Sequence, residues 1–252
     1  MSSNPFSLEG KVAVVTGASK GMGVGIAEAM AAAGAAVAQV GRTEPALDEV
    51  AGRIRAAGGR AHVIACDVAA ADAPERIVDG TVAALGALDI LVNNAGIFEP
   101  QPFLEITLES FDRQFATNVR APFAITQRAI PHLRGGGVVI NMTSIAALVG
   151  FPGAAAYCAS KGALEVMTKA LTAEFAAEGV RVCAIAPGNI HTPMNDHLFE
   201  LPGYEQAMLA MTPAKRIGEV ADIANVAVFL ASRAADYVHG ASLLVDGGWC
   251  AQ

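Results

Sequence analysis

Short apolar runs alternate with longer stretches of helical character along the whole chain. Strands are predicted near 11–16, 35–41, 61–66, 88–92, 137–142, 180–186 and 241–245. Helices are predicted near 23–33, 44–57, 72–86, 109–133, 156–178 and 219–231. Apolar strands that alternate with helices indicate an α/β fold, a Rossmann-type doubly wound sheet of about seven parallel strands with helices on both faces.

One segment, 188–216, breaks this alternation. It contains Pro193, Pro202 and Pro213 and connects the sixth strand to the last long helix. A long insertion at the carboxyl end of a parallel strand is a common place for a substrate lid. Because no Pro- or Ser-rich linker divides the chain, we expect one domain over residues 1–252 with a lid at about 188–216.

Composition narrows the class of protein. The 252 residues carry a net charge of −7, and the 17 Lys and Arg are scattered, which argues against a nucleic-acid partner. No apolar stretch reaches the ~18 uncharged residues that span a bilayer, so no membrane segment is expected. Residues 1–10 lack the features of a signal peptide, and the four cysteines have neither C-x-x-C spacing nor nearby histidines. The expectation is a cytoplasmic protein with reduced thiols and no metal site, although a metal at the carboxylate of Gln252 is conceivable.

A glycine-rich turn follows the first predicted strand. The strand K-V-A-V-V (11–15) leads into T-G-A-S-K-G-M-G (16–23) and then into a helix. Gly17 permits a tight turn, and Gly21 and Gly23 allow backbone and helix start to approach a pyrophosphate, which the helix N-terminus attracts. The turn therefore predicts dinucleotide binding through Gly17, Ser19, Lys20, Gly21, Met22 and Gly23.

Tyr157 and Lys161 are four residues apart in A-Y-C-A-S-K-G, so they lie on one face of the predicted helix. An ammonium beside a phenol favours the phenolate and should lower the phenol pKa from its usual ~10 towards neutral pH. Such a tyrosine would give or take a proton during a reaction.

Over almost its whole length the chain resembles the short-chain dehydrogenase/reductase family. The motifs that carry the resemblance are T-G-A-S-K-G-M-G (16–23), Asp67-Val68, N-N-A-G (93–96), Asn118, Ser144, Y-C-A-S-K (157–161), P-G-N-I-H-T (187–192) and V-D-G-G (245–248). The resemblance implies that Tyr157 is the general acid or base and that Lys161 is its electrostatic partner. It implies further that Ser144 bonds the substrate oxygen and that Asn118 holds a water against Lys161. Taken alone, Ser144 is also consistent with a cap and Asn118 with a bond to its own helix.

The resemblance also implies the remaining cofactor contacts. Asp67 would accept a bond from the adenine amine, and the N-N-A-G motif would line the passage between the two halves of the cofactor. Asn93 and Asn94 are alternatively structural ties between strands. The implied contacts are Asp67, Val68, Asn94, Ala95, Gly96, Tyr157, Lys161, Pro187, Gly188, Ile190 and Thr192.

The end of the second strand predicts the choice of cofactor. NAD-preferring enzymes tend to place an acid here for the ribose 2′-hydroxyl, but this chain has Gly41 and Arg42. Lys20 lies in the glycine turn near the same corner. Two cations and no acid predict NADP(H), the alternative being that both side chains are merely solvated.

The expected substrate is a neutral, largely apolar ketone or secondary alcohol, because the predicted lid and the strip after Ser144 are mostly apolar. His191 and His197 border this region. A 3-oxoacyl-[acyl-carrier-protein] reductase is an alternative, which is weakened because Gly137 and Glu178 occupy positions where rim arginines would dock the carrier. A catalytically silent NADP-binding regulator and a sugar-nucleotide epimerase are less favoured. Apolar residues on several faces of helices 109–133 and 156–178, together with the family resemblance, predict a homotetramer.

Overall fold

The fold is a single seven-stranded parallel sheet, as the alternation of strands and helices predicts. The computed structural model describes residues 4–251, so Gln252 and the metal considered there lie outside the described residues. The strands are β1 (Val12–Thr16), β2 (Ala36–Gly41), β3 (Arg60–Ala65), β4 (Ile90–Asn93), β5 (Val138–Met142), β6 (Arg181–Pro187) and β7 (Ser242–Val245). Their order across the sheet is β3-β2-β1-β4-β5-β6-β7.

Helices cover both faces of the sheet. They are α1 (Met22–Ala32), α2 (Glu44–Ala56), α3 (Ala73–Leu85), α4 (Leu108–Phe115), α5 (Ala121–Leu133), α6 (Ala155–Phe175), α7 (Asp196–Phe199), α8 (Tyr204–Met211) and α9 (Val220–Ala231). One hydrophobic core joins the sheet to α1, α2 and α9, and another joins it to α3 and α5. Successive strand residues alternate between the two cores: Val15 belongs to the first and Val14 to the second.

The first and last long helices are in close contact. Gly25 of α1 faces Val220 of α9, and a Cβ at Gly25 would lie 2.2 Å from Val220 Cγ1. The absence of a side chain at this position therefore sets how closely the two helices approach.

The register of the sheet places the candidate site. Val15 of β1 lies opposite Gln39 of β2 on one side and Val92 of β4 on the other. All three strands end at the same edge, and the chain order reverses between β1 and β4. Ligands of open α/β sheets bind at such a switch point, where the loops after the strands diverge.

The predicted helix 109–133 is helical along its whole length, but its geometry changes in the middle. A π-helical turn at Ala116–Arg120 separates α4 from α5 and contains the buried Asn118. In an α-helix the carbonyl of Asn118 would accept from the N–H of residue 122, but Pro122 has none. This missing donor accounts for the change of helical geometry at that point.

The 188–216 segment contains two short helices, α7 and α8, that the sequence pattern did not predict. The first residues of the segment are held by a parallel β-bridge between Ile190 and Gly218. Asn195 closes the next turn, since its Oδ1 accepts from Thr192 N at 2.9 Å. His191 Nε2 lies 3.1 Å from Asp196 Oδ1, so this histidine contacts the segment itself.

Residues 4–251 contain neither a membrane-spanning helix nor a cluster of metal ligands. None of their helices is both long enough and apolar enough to cross a membrane. Within the same range, no three His, Cys, Asp or Glu side chains are grouped as a metal would require.

Candidate active site

The glycine turn between β1 and α1 has the geometry of an anion-binding loop. Gly17 and Gly21 have φ values of 68° and 58°, which side chains other than glycine rarely adopt. A Cβ on Gly23 would lie 2.2 Å from the carbonyl oxygen of Gly17, so only glycine fits there. The first turn of α1 has no side-chain cap and no acidic residue, so its N–H groups and positive dipole end are available to a phosphate.

Thr16 and Asn94 hold this turn against the end of β4. Asn94 Nδ2 donates to the carbonyl of Thr16 at 2.8 Å, and the backbone N–H of Asn94 donates to Thr16 Oγ1 at 3.0 Å. Asn93 Nδ2 instead donates to Asn141 Oδ1 at 2.9 Å and to Thr126 Oγ1 at 3.0 Å. Asn93 is thus a structural tie between β4 and β5, whereas Asn94 both fixes the turn and faces the cavity.

A cavity of about 400 Å³ opens beside the turn. Most predicted cofactor contacts line it: Gly17, Ser19, Lys20, Gly21, Met22, Gly41, Arg42, Asp67, Val68, Asn94, Ala95, Gly96 and Thr192. Lining residues that were not predicted as cofactor contacts are Cys66, Ala69, Ile97, Glu99, Arg113, Ala116, Thr117, Pro193 and Met194. A cavity of this size beside an anion-binding turn fits a dinucleotide.

Other predicted contacts lie outside that lining. Gly23 is buried behind the turn, and Pro187 is the buried last residue of β6. Gly188 packs against Asp246, whose Cα would be 2.7 Å from a Cβ at that position. Ile190 is also buried. Their roles as cofactor contacts stay predictions.

The corner of the cavity at the end of β2 is cationic. Arg42 and Lys20 are both exposed, and within residues 4–251 neither side chain forms an ion pair or a hydrogen bond. Gly41 adds no side chain to the corner, and a Cβ there would lie 3.2 Å from Ser19 Oγ. Two unpaired cations and free N–H groups at one edge suit a ligand that carries several phosphates.

Tyr157, Lys161 and Ser144 meet next to this cavity. Lys161 Nζ lies 5.7 Å from the centroid of the Tyr157 ring and donates to the carbonyl of Met142 at 2.7 Å. A Cβ on Gly96 would be 3.5 Å from the same Nζ, so this glycine lets the backbone pass the ammonium. The Ser144 hydroxyl is close enough to the Tyr157 phenol to lower its pKa, and its Oγ accepts from the N–H of Ala146 at 3.1 Å. Ser144 therefore acts as a cap as well as facing the phenol.

The prediction that Lys161 lowers the phenol pKa is wrong for the protein alone. Desolvation raises the pKa of Tyr157 to about 12, and the nearby Ser144 hydroxyl offsets this only in part. Desolvation likewise lowers the pKa of Lys161 to about 8. The ammonium is directed at the carbonyl of Met142, and removal of water outweighs its attraction for the phenolate.

Asn118 joins the loop after β4 to α6. Its Oδ1 accepts from the N–H of Ile97 at 2.8 Å, and its Nδ2 donates to the carbonyl of Ile97 at 2.9 Å and to Ser160 Oγ at 3.1 Å. The side chain thus bonds neither its own helix backbone nor Lys161. Its backbone carbonyl, which lacks the usual helical donor because of Pro122, is the group with capacity left for a water.

Next to Ile97, the ring of Phe98 packs on the ring of Tyr157, with the centroids 4.8 Å apart. Glu99 and Arg113 form an ion pair at the wall of the cavity, with Arg113 Nη2 2.7 Å from Glu99 Oε2. No local pattern identifies these residues, because Glu99 and Arg113 meet only through the packing of the loop on α4.

A family model described as enoyl-(acyl carrier protein) reductase matches residues 17–250. The chain is 38% identical to 2-(R)-hydroxypropyl-CoM dehydrogenase of Xanthobacter autotrophicus, over 96% of this chain and 99% of that protein. It is also 38% identical to cyclopentanol dehydrogenase of Comamonas sp., over 96% and 97% of the two chains.

Among solved structures, a protein described as a 2-deoxy-D-gluconate 3-dehydrogenase from Agrobacterium tumefaciens, with bound NADP, superposes with a TM-score of 0.91. It is 41% identical, and the match covers 99% of this chain and 100% of that one. Matches of this extent and identity, with the glycine turn and the Tyr157–Lys161 pair in place, establish that the chain belongs to the short-chain dehydrogenase/reductase family.

Proposed function

We propose that this protein is an NADP(H)-dependent oxidoreductase that reduces a ketone, or oxidises the corresponding secondary alcohol. The observation that carries the proposal is the grouping of Tyr157, Ser144 and Lys161 beside a cavity with a phosphate loop and two free cations. The relatives named as dehydrogenases act on hydroxyl-bearing compounds, and the Agrobacterium structure holds NADP.

The cofactor site fits a nucleotide with a ribose 2′-phosphate. Lys20 and Arg42 would hold that phosphate, and the N–H groups of the glycine turn and α1 would hold the pyrophosphate. A nicotinamide cofactor, when bound, supplies the hydride that is exchanged with the carbinol or carbonyl carbon.

Tyr157 supplies the proton. Because its pKa is raised to about 12, the phenol is protonated at neutral pH and is ready to donate to a carbonyl oxygen as negative charge develops there. The Ser144 hydroxyl, which lies near the phenol, would donate to the same oxygen. Lys161, buried behind the tyrosine, would stabilise the phenolate that remains, and a water on the Asn118 carbonyl would return a proton.

A neutral, largely apolar substrate is favoured by the side chains near the site. Met194 lines the cavity and is 39% exposed. Leu201, in the same 188–216 segment, and Leu148, four residues after Ser144, are also exposed. The 188–216 segment, which contains two of these residues, would serve as the lid over the substrate. Cyclopentanol dehydrogenase is a relative whose named substrate has this character, whereas the Agrobacterium protein is named for a polar sugar acid.

The acyl-carrier alternative receives some support from the description of the matching family model. At the position where a docking arginine would be expected, however, Glu178 pairs with Arg134 at 2.6 Å, which neutralises that cation. An acyl-carrier substrate therefore belongs in the assay panel as the second candidate.

A homotetramer is proposed from the apolar residues that the single chain leaves uncovered. Three apolar side chains are mostly exposed in the loop before α4 and at its first residue: Phe103 (73%), Leu104 (94%) and Leu108 (81%). Phe123 on α5 and Val166 on α6 are exposed as well. Trp249 near the end of the chain is instead buried and packs near Phe151. Light scattering at micromolar concentration tests this state, and a monomer mass would refute it. The four free cysteines fit a reducing, cytoplasmic location.

The test is a panel of cyclic ketones, oxo sugar acids and a 3-oxoacyl carrier, read as loss of NADPH absorbance. Tyr157→Phe should lower kcat by ~10²–10⁴-fold, because it removes the hydroxyl that donates the proton, while the Kd for NADPH stays within error because the ring is kept. The matched control is Tyr237→Phe, which alters a fully exposed tyrosine and should leave both values unchanged. Retention of more than about a tenth of kcat in Tyr157→Phe would assign the proton to another group. NADPH binding without turnover of any panel member would support a silent regulator instead.

A further inference from the structure

Three consecutive residues after the N-N-A-G motif each have a distinct anchor. The backbone of Ile97 is bonded on both sides by Asn118, the ring of Phe98 lies on Tyr157, and the carboxylate of Glu99 is bonded to α4. The segment 97–99 therefore connects the candidate acid to the π-helical turn and to α4.

The anchor at Glu99 is the most extensive of the three. Its Oε1 accepts from Arg113 Nε at 2.8 Å, and its Oε2 accepts from Arg113 Nη2 at 2.7 Å and from Ser110 Oγ at 2.8 Å. The N–H of Glu99 is 3.4 Å from Gln114 Oε1. Ser110 and Gln114 are each 1% exposed, so Glu99 is bonded to side chains of α4 that are themselves packed into the protein.

We propose that the Glu99–Arg113–Ser110 cluster is a positioning clamp that holds Phe98 against Tyr157 and so fixes the phenol for proton transfer. These residues touch neither the phenol nor the expected position of the substrate oxygen, so they act through Phe98. Bidentate pairing fixes both distance and direction, which a single bond would not do. The proposal rests on Tyr157 being the acid of the proposed function.

The distance over which the clamp acts is short. One peptide bond separates Glu99 from Phe98, and another separates Phe98 from Ile97, which Asn118 holds. Release of Glu99 would let the ring of Phe98 move while Asn118 still held the far side. Proton transfer depends on sub-ångström placement, so a small displacement is expected to change turnover more than cofactor binding.

A second pair in the chain provides a matched control. Arg128 Nε and Nη2 bind Asp79 in the same bidentate arrangement, and this pair joins α5 to α3 away from the cavity. Its side chains are 51% and 41% exposed, against 56% and 28% for Arg113 and Glu99. Asp79→Ala therefore measures what the loss of a comparable ion pair does to stability alone.

The first measurement is steady-state kinetics. Glu99→Ala and Arg113→Ala should each lower kcat about 10-fold, within the ~10²-fold that a 1 Å misplacement can cost, with the Kd for NADPH within about threefold. Glu99→Gln should give a smaller loss of kcat than Glu99→Ala, because its amide oxygen still accepts from α4 while its amide nitrogen cannot replace the second acceptor. Equal losses in kcat and NADPH affinity would make the pair a cofactor contact, and unchanged kcat in Glu99→Ala would make it merely structural; either result overturns the proposal.

The second measurement separates action through Phe98 from general loosening. In a Phe98→Ala background, Glu99→Ala should have no further effect on kcat, because the element that the clamp positions has been removed. Full additivity of the two losses would overturn the inference. Asp79→Ala should lower kcat equally in both backgrounds or not at all.

The third measurement does not need turnover. The chain has three tyrosines, so protein labelled with 3-fluorotyrosine should give three ¹⁹F resonances, and Tyr157→Phe identifies the one from Tyr157. Glu99→Ala should shift or broaden that resonance, while Asp79→Ala leaves it in place. If the Tyr157 resonance does not change in Glu99→Ala, the clamp is overturned even if the protein turns over no substrate. If the resonance changes but no substrate is turned over, only the proposed function is overturned.

Discussion

Lys161 is held in the folded protein at a cost in stability, and its removal should reveal that cost. The side chain is 4% exposed, and burial lowers its pKa from 10.5 to about 8. Each pKa unit corresponds to about 1.4 kcal/mol, so the charged lysine costs roughly 3 kcal/mol at pH 7. Lys161→Met keeps the length of the side chain but leaves the carbonyl of Met142 unbonded, which costs about 1–3 kcal/mol. The net expectation is a gain of about 0–2 kcal/mol, or up to ~8 °C in Tm, together with loss of activity.

The lowered pKa of Lys161 determines how the stability difference between wild type and Lys161→Met changes with pH. Between about pH 8 and 10.5 the unfolded chain binds a proton at Lys161 that the folded chain does not, so wild-type stability rises with pH relative to the variant. The advantage of Lys161→Met should therefore be largest at pH 7 and should shrink or reverse by pH 9.5. Burial raises the pKa of the thiols of Cys66, Cys183 and Cys250, and their ionisation cancels when wild type and variant are compared at each pH.

The assay is thermal unfolding of the nucleotide-free protein at pH 7, 8.5 and 9.5. Lys20→Met, which changes an exposed lysine, is the stability control and should show no pH-dependent difference from wild type. A Lys161→Met protein that is less stable than wild type at pH 7, or that differs from it equally at all three pH values, would refute the reasoning.

Four further predictions concern other parts of the fold. Arg42→Ala should weaken NADPH binding by about 10–150-fold before screening by salt and leave NADH binding unchanged, as measured by nucleotide-fluorescence titration. Gly41→Asp should move the preference towards NADH, and equal affinities for both coenzymes in wild type would contradict the cofactor assignment. Gln39→Met should raise Tm, because both amide atoms of this fully buried side chain lack partners and their desolvation costs about 1–3 kcal/mol; a fall in Tm would indicate that a buried water satisfies them. Gly25→Ala should lower Tm by several degrees, because the new Cβ overlaps Val220, and an unchanged Tm would mean that α9 can shift freely.

The strand pattern was sufficient to predict the sheet, because buried parallel strands are continuously apolar and end in recognisable loops. The bounds of all seven strands differ from the predicted runs by no more than two residues at either end. The π-helical turn within helix 109–133 was not predicted, since its visible signal, Pro122, is also compatible with the first turn of a helix. The contact of the Asn118 side chain with Ile97, which lies far away in the sequence, is visible only in the structure.

The candidate site was predicted where it depends on local motifs and missed where it depends on packing. The glycine turn and the Tyr157–Lys161 spacing are local, and the structure places them beside one cavity. The direction of the Tyr157 pKa was wrong, because spacing reports proximity but not how much water the fold removes. Glu99 and Arg113 were missed because they pair across a loop and a helix.

The contact between α1 and α9 also constrains how the protein can be made. The glycine turn lies at the start of α1. Helix α9, against which α1 packs, is synthesised only after six of the seven strands. Contacts between such distant segments must close a long loop before they contribute, which slows folding and leaves apolar surface uncovered in the meantime. A nascent chain that lacks α9 would present the bare side of α1 to solvent and to chaperones. Competence to hold a nucleotide is therefore expected to arise late during translation, as one of the final steps in maturation.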